Sequence, residues 1–151
     1  MSGTRTVAVA AAAAALALPA AGCGEESEAG DFAERYNEAV EPLTRVTAEL
    51  GEADGSGGES NREIAADLRR FAAAAERTRA GLARLDAPQE TGDELGQLVA
   101  ALEEGIDDLR RAARAARSND RQGFVRAREA IAESRAEIAA AEQELKQAVR
   151  E

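Results

Sequence analysis

Ile64, Leu68, Phe71, Ala75, Thr78, Leu82 and Leu85 follow one another at steps of 4, 3, 4, 3, 4 and 3, with no charged residue among them. That alternation matches the helical repeat, and it cannot line one face of a strand, where the period is two. It recurs in Leu95, Val99, Leu102, Ile106, Leu109, Ala113 and Ala116, and again in Phe124, Ala127, Ile131, Ser134, Ile138, Ala141 and Leu145. A looser stripe precedes them: Phe32, Tyr36, Val40, Leu43, Val46 and Leu50. A helix with one apolar stripe is marginal alone and needs partners to cover it. The expected class is therefore all-α: an antiparallel up-down four-helix bundle with heptad seams.

Turn chemistry divides the chain at the same places. The first helix is expected over residues 31–50, with Asp31 as N-cap and Glu34 completing a capping box. Pro42 lies inside it and predicts a kink or two short segments, because proline lacks an N–H and collides with the carbonyl four residues back. Residues 51–59 are rich in Gly, Ser and acid and read as a loop. Ser60 or Asn61 caps a second helix reaching about Asp86. Pro88 separates it from a third, which starts at Gln89 or Thr91 and runs to Arg117. Ser118, Asn119 and Asp120 form a turn before a fourth helix over residues 121–150. Short turns make neighbours antiparallel. One end then carries the start of helix one, the Pro88 turn and the C-terminus. The other carries residues 51–59 and the Asn119 turn. Many seam positions are Ala. A buried Leu contributes about 1.5–3 kcal/mol and an Ala far less, so a slim bundle of modest stability is expected.

Charge and composition exclude several classes. The chain has 29 acidic and 19 basic residues, a net charge of −10, and no histidine. A nucleic-acid binder needs a basic footprint. Carboxylate di-iron bundles use Glu-x-x-His pairs, and structural zinc sites use Cys and His. No histidine can act as a base, and no phosphate loop or nucleophile elbow is present. Catalysis by carboxylates alone requires two of them converging in a cleft. The expectation is a non-enzymatic chain with no cofactor and no metal. One faint cation pattern remains, with Glu52, Asp54, Ser56, Gly57 and Glu63 at EF-hand spacing. Its first ligand is Glu rather than Asp, Glu59 stands in the usual apolar place, and helix two starts inside it. A connector is the default reading.

The first 22 residues differ in character from the rest. Arg5 precedes an uncharged run of Ala, Val and Leu from Val7 to Leu18, followed by Pro19 and small residues up to Cys23. This is the layout of a secretory signal, and the run is too short for a membrane span. Cys23 is the only cysteine, so no internal disulfide can form. The sequence Ala20-Ala21-Gly22-Cys23 resembles the lipobox of bacterial lipoproteins, with Ala where the first position is usually Leu. The resemblance implies cleavage between Gly22 and Cys23 and a diacylglycerol on the Cys23 thiol. Two or more acyl chains make a stable anchor. Cleavage there leaves 129 residues, and because Arg5 is the only charge removed, the net charge becomes −11. Residues 24–30 read as a polar, acidic tether to a helical domain over residues 31–151. Heavy use of Ala, Gly and Arg, with Lys146 the lone lysine, points to a GC-rich genome. The run Leu-Ala-Arg-Leu-Asp-Ala-Pro-Gln-Glu from Leu82 to Glu90, followed by an Ala- and Arg-rich helix ending at Ser118-Asn119-Asp120, is similar to small helical lipoproteins of GC-rich Gram-positive bacteria. That resemblance implies a bundle and carries no activity.

Charge is also segregated along the helices. Glu103, Glu104, Asp107 and Asp108 form an acidic band on helix three, read as a solvated face with an Asp107–Arg111 pair. Arginines gather at the end away from the tether. The candidate partner-binding set is Arg110, Arg111, Arg114, Arg117 and Arg121, with Arg126 and Arg128 nearby. The resulting expectation is a lipid-anchored, extracytoplasmic module of the cell envelope that binds or spaces other components. Its partners would be the membrane and an envelope protein or anionic ligand, with no nucleic acid. The alternative is a ligand- or cation-binding lipoprotein that uses acidic side chains. A converging polar cluster inside the bundle would favour it, and only Thr78 and Ser134 are polar within the seams.

Overall fold

The computed structural model describes residues 28–53 and 60–150. Among these the chain forms four helices and no strand: α1 Glu28–Ala53, α2 Asn61–Leu82, α3 Gly92–Arg117 and α4 Arg121–Ala148. Residues 1–27, which include the leader, Cys23 and most of the tether, lie outside the described residues. So do residues 54–59 of the first loop.

Local chemistry explains most helix ends. At α2 the Ser60 hydroxyl accepts from the Glu63 N–H (3.3 Å), and the Ser60 N–H donates to Glu63 Oε2 (2.7 Å). This reciprocal pair satisfies two donors the helix cannot. At α4 Asp120 Oδ1 accepts from the Gly123 N–H at 2.9 Å. Between α3 and α4 the chain reverses through Asn119, whose φ of 56° lies in the left-handed region. The Asn119 N–H donates to the Ala116 carbonyl (3.2 Å) and the Asp120 N–H to the Ala115 carbonyl (2.9 Å), a Schellman closure with Asn in the usual Gly place. Thr91 precedes α3 without capping it. Its hydroxyl donates instead to the Pro88 carbonyl at 3.1 Å.

Helix α1 departs from expectation at its start and decides between two expectations at Pro42. It starts at Glu28, inside the stretch read as tether, so Asp31 lies within the helix and is not its N-cap. At Pro42 the first of the two alternatives fits, since the chain runs through the proline as one helix and does not split into two segments. Thr44 and Thr47 donate their hydroxyls to the carbonyls of Val40 and Leu43, at 3.3 and 2.8 Å, on either side of the proline. The buried stripe Phe32, Tyr36, Val40 and Val46 continues across it, and packing outweighs the lost backbone bond.

The helices pack in chain order, α1 on α2, α2 on α3 and α3 on α4. Two glycines permit close approach. A Cβ on Gly81 would sit 3.1 Å from Ala39 Cβ of α1, and one on Gly105 would sit 3.2 Å from Ile138 Cδ1 of α4. Among the described residues no Cα of α1 comes within 8 Å of one in α4, although side chains of both helices share one core cluster. Near the start of α1, the larger core cluster draws on all four helices, including Phe32, Tyr36, Leu82, Leu98, Leu102 and Leu145. A second cluster, Leu68, Ala112, Ala113 and Ala127, belongs to α2, α3 and α4 only. The proximal half is thus a four-helix core and the distal half a three-helix core. Asn61 Nδ2 donates to Asn119 Oδ1 at 2.7 Å, which places the start of α2 beside the α3–α4 turn at the distal end.

Helix α3 buries two stripes rather than one. Leu98, Gly105, Asp108, Ala112 and Ala115 are covered along with the seam residues Leu95, Leu102, Ile106, Ala113 and Ala116. A helix flanked by two partners needs a wide apolar face, and Ala and Gly supply the second stripe at close range.

Candidate functional site

Arg111 and Ala115 of α3 and Ser118 at its C-cap follow one another at steps of four and three, with Arg114 beside them. On α4, Gly123, Arg126, Ala127 and Ala130 keep the same spacing. Where the two helices meet at the distal turn, these residues and Asp120 line an open groove of about 450 Å³. Of its lining residues Ala115 and Ala127 are buried and Ala130 half-buried, whereas Arg111, Arg114 and Arg126 are exposed.

The three arginines are not equivalent. Arg111 Nη2 pairs with Asp108, and Asp108 also accepts a hydrogen bond from the Ser134 hydroxyl of α4. Asp108 is only 4% exposed and Ser134 5%. The Ala130 carbonyl, 3.1 Å from Ser134 Oγ, completes the set. Both Asp108 oxygens are engaged, so this converging polar cluster offers no open carboxylate of the kind the cation-binding alternative requires. The acidic band reads as a solvated face, yet Asp108 within it is buried, and its carboxylate is tolerated here because two donors satisfy it. The expected Asp107–Arg111 pair does not form. Asp107 pairs with Arg110 at 3.6 Å, one position earlier. Arg114 and Arg126 pair with no carboxylate among the described residues, whereas the Asp120 carboxylate in the groove is engaged in capping Gly123.

The five candidate arginines therefore separate. Arg111 and Arg114 line the groove. Arg110 turns to α2 and donates to Glu76 Oε2 at 2.8 Å. Arg117 and Arg121 are exposed at the distal end and outside the groove lining. Arg126, outside the candidate five, takes Arg110's expected place. The helical step of four from Arg126 to Ala130, facing Ser134 one turn on, was the signal available in the sequence.

A second polar group lies in the proximal core. The Tyr36 hydroxyl is fully buried and finds no hydrogen-bond partner among the described residues. Burial pushes its phenol far above the ordinary value, and the nearby Glu142 carboxylate adds to the shift. Glu142 is itself buried and pairs with Lys146 one turn on. Among the described residues no three carboxylates assemble as a cation site. Glu52 and residues 54–59 of the faint EF-hand pattern lie where no side chain is described. Glu63, its twelfth position, is committed to capping α2.

The chain matches no family model, no curated protein and no solved structure. The groove's chemistry must carry the functional reading alone.

Proposed function

We propose that this chain is a lipid-anchored, extracytoplasmic helical lipoprotein that works without catalysis, as a binding or spacing module of the cell envelope. Cys23 is the anchor and Gly22–Cys23 the cleavage site. The observation that supports a binding role is the groove. Two guanidinium groups there, on Arg114 and Arg126, have no carboxylate partner, and a third, on Arg111, is held in place by buried Asp108. The groove lies at the end of the bundle opposite the start of α1, where the segment bearing Cys23 joins. An anchored bundle would hold it away from the surface, and the acidic residues near the start of α1 would be repelled by anionic lipid. No helix among the described residues is long and apolar enough to cross a membrane.

Mass spectrometry of the membrane fraction tests the anchor. The expected product begins at Cys23 with a diacylglyceryl group on sulfur, and Cys23→Ala abolishes metabolic labelling with a fatty acid. An unmodified Cys23 thiol in the membrane fraction would refute the reading.

A further inference from the structure

We propose that the distal groove between α3 and α4 binds the phosphoryl group of a small, soluble organic phosphate, with Arg111, Arg114 and Arg126 as its ligands. This rests on the binding role above and names its chemistry.

Size argues for a small ligand. At about 450 Å³ the groove falls among small-molecule sites, roughly 300–1,000 Å³, and could not seat the face of a folded protein. Its charge argues for an anion. Three guanidinium groups meet two carboxylates, Asp108 and Asp120, and both carboxylates are already engaged, one by Ser134 and Arg111 and the other by the Gly123 N–H. The donors on Arg114 and Arg126 remain unspent. Guanidinium forks favour oxyanions that accept two parallel hydrogen bonds. Two unspent forks, Arg114 on α3 and Arg126 on α4, with the Arg111 donors that Asp108 does not engage, suit a tetrahedral group with three terminal oxygens better than a planar carboxylate with two. The alanines of the lining, Ala115, Ala127 and Ala130, offer a shallow apolar surface for the ester's body rather than a second polar subsite. Arg111 adds precision. Because Asp108 is buried and bonded across the helix interface by Ser134, the carboxylate that orients Arg111 is rigid, and the guanidinium loses less freedom on binding than an untethered one.

The test is an isothermal titration of the full chain, purified in neutral detergent, with four probes: phenyl phosphate, inorganic phosphate, benzoate and dihexanoyl phosphatidic acid. Phenyl phosphate should bind tightest, with benzoate about tenfold weaker. Arg114→Ala and Arg126→Ala should each weaken phenyl phosphate about tenfold or more. Arg114→Lys should recover only part, since an ammonium keeps the charge and loses the fork. Arg128→Ala, on the same helix but outside the groove lining, should change nothing. Circular dichroism should show all variants equally helical, because these side chains are exposed. The proposal is overturned if phenyl phosphate gives no heat at millimolar concentration, if Arg128→Ala weakens it as much as Arg114→Ala, or if benzoate binds as well. Tightest binding by the phosphatidic acid would overturn the soluble source in favour of a lipid headgroup. Lipid labelling of Cys23 is read separately, so failure of the groove leaves the anchor standing, and failure of the anchor leaves the groove.

Discussion

At the residue scale the buried polar groups are the informative ones, and they fall into two kinds. Asp108, Ser134 and Arg111 satisfy one another across α3 and α4. Tyr36 does not share in any such arrangement, since its hydroxyl is buried without a partner. A buried unpaired hydroxyl costs about 1–3 kcal/mol, so Tyr36→Phe should raise stability by about 1 kcal/mol in urea unfolding, the ring contacts being kept. The same residue sets an alkaline limit. Its folded pKa is raised, so its contribution is intact below the unfolded value near 10 and is lost as pH rises beyond that towards the folded value. Tyr36 is the only tyrosine and the chain has no Trp, so phenolate absorbance reports this site alone. The native protein should show no phenolate until it unfolds, and the Phe variant should keep its helicity to higher pH. A titration with an ordinary midpoint in the folded protein would mean that Tyr36 is exposed.

At the element scale two helices have an identifiable weak point. For α2 it is the N-terminus. The Ser60 N–H, and then its hydroxyl, stabilise the ionised Glu63 carboxylate and lower its pKa. A lowered folded pKa means that the stabilisation is complete above the usual carboxylate range and fades as pH falls through the folded value. Glu63→Gln keeps the capping geometry without the charge and should flatten that acid limb. Ser60→Ala removes the cap at every pH and should cost about 1 kcal/mol. For α1 the weak point is its single backbone neighbour. It packs on α2 and meets α4 only through side chains, and it has no part in the distal cluster. Hydrogen exchange should find α1 opening before α3, which is flanked on both sides. Equal protection of the two would mean that α1 is as firmly held as the centre of the bundle.

At the scale of the whole molecule, α3 supplies more of the buried residues in the two core clusters than any other helix, from Leu95, Leu98 and Leu102 to Ala112 and Ala113. Leu102 is 4% exposed and Ile106 3%. A carboxylate at either place would be buried without a partner, so Leu102→Asp or Ile106→Asp should cost about 3 kcal/mol or more and leave an alanine-rich bundle largely unfolded. A loss below about 1 kcal/mol at both would show that the seam is not the core.

Much of this architecture was legible in the chain. The 4,3 steps from Ile64 to Leu85 and from Leu95 to Ala116 dictate helices, because no other regular structure repeats near 3.5 residues. Ser60 with Glu63, and Asp120 ahead of Gly123, mark two helix starts through local hydrogen bonds that need no distant partner. What the tertiary structure decided depends on neighbours. Asp108 reads as one more carboxylate of an acidic band until α4 brings Ser134 to it. Ala112 and Ala115 read as filler until a second helix covers them. Arg110 and Arg114 are alike in sequence, yet α2 offers Glu76 to the first and no described carboxylate meets the second. Periodicity determines which face of each helix is covered, since that is a property of one chain segment. Which arginines remain unpaired and share a groove is set by the angle and register at which two helices meet, and a linear pattern carries neither.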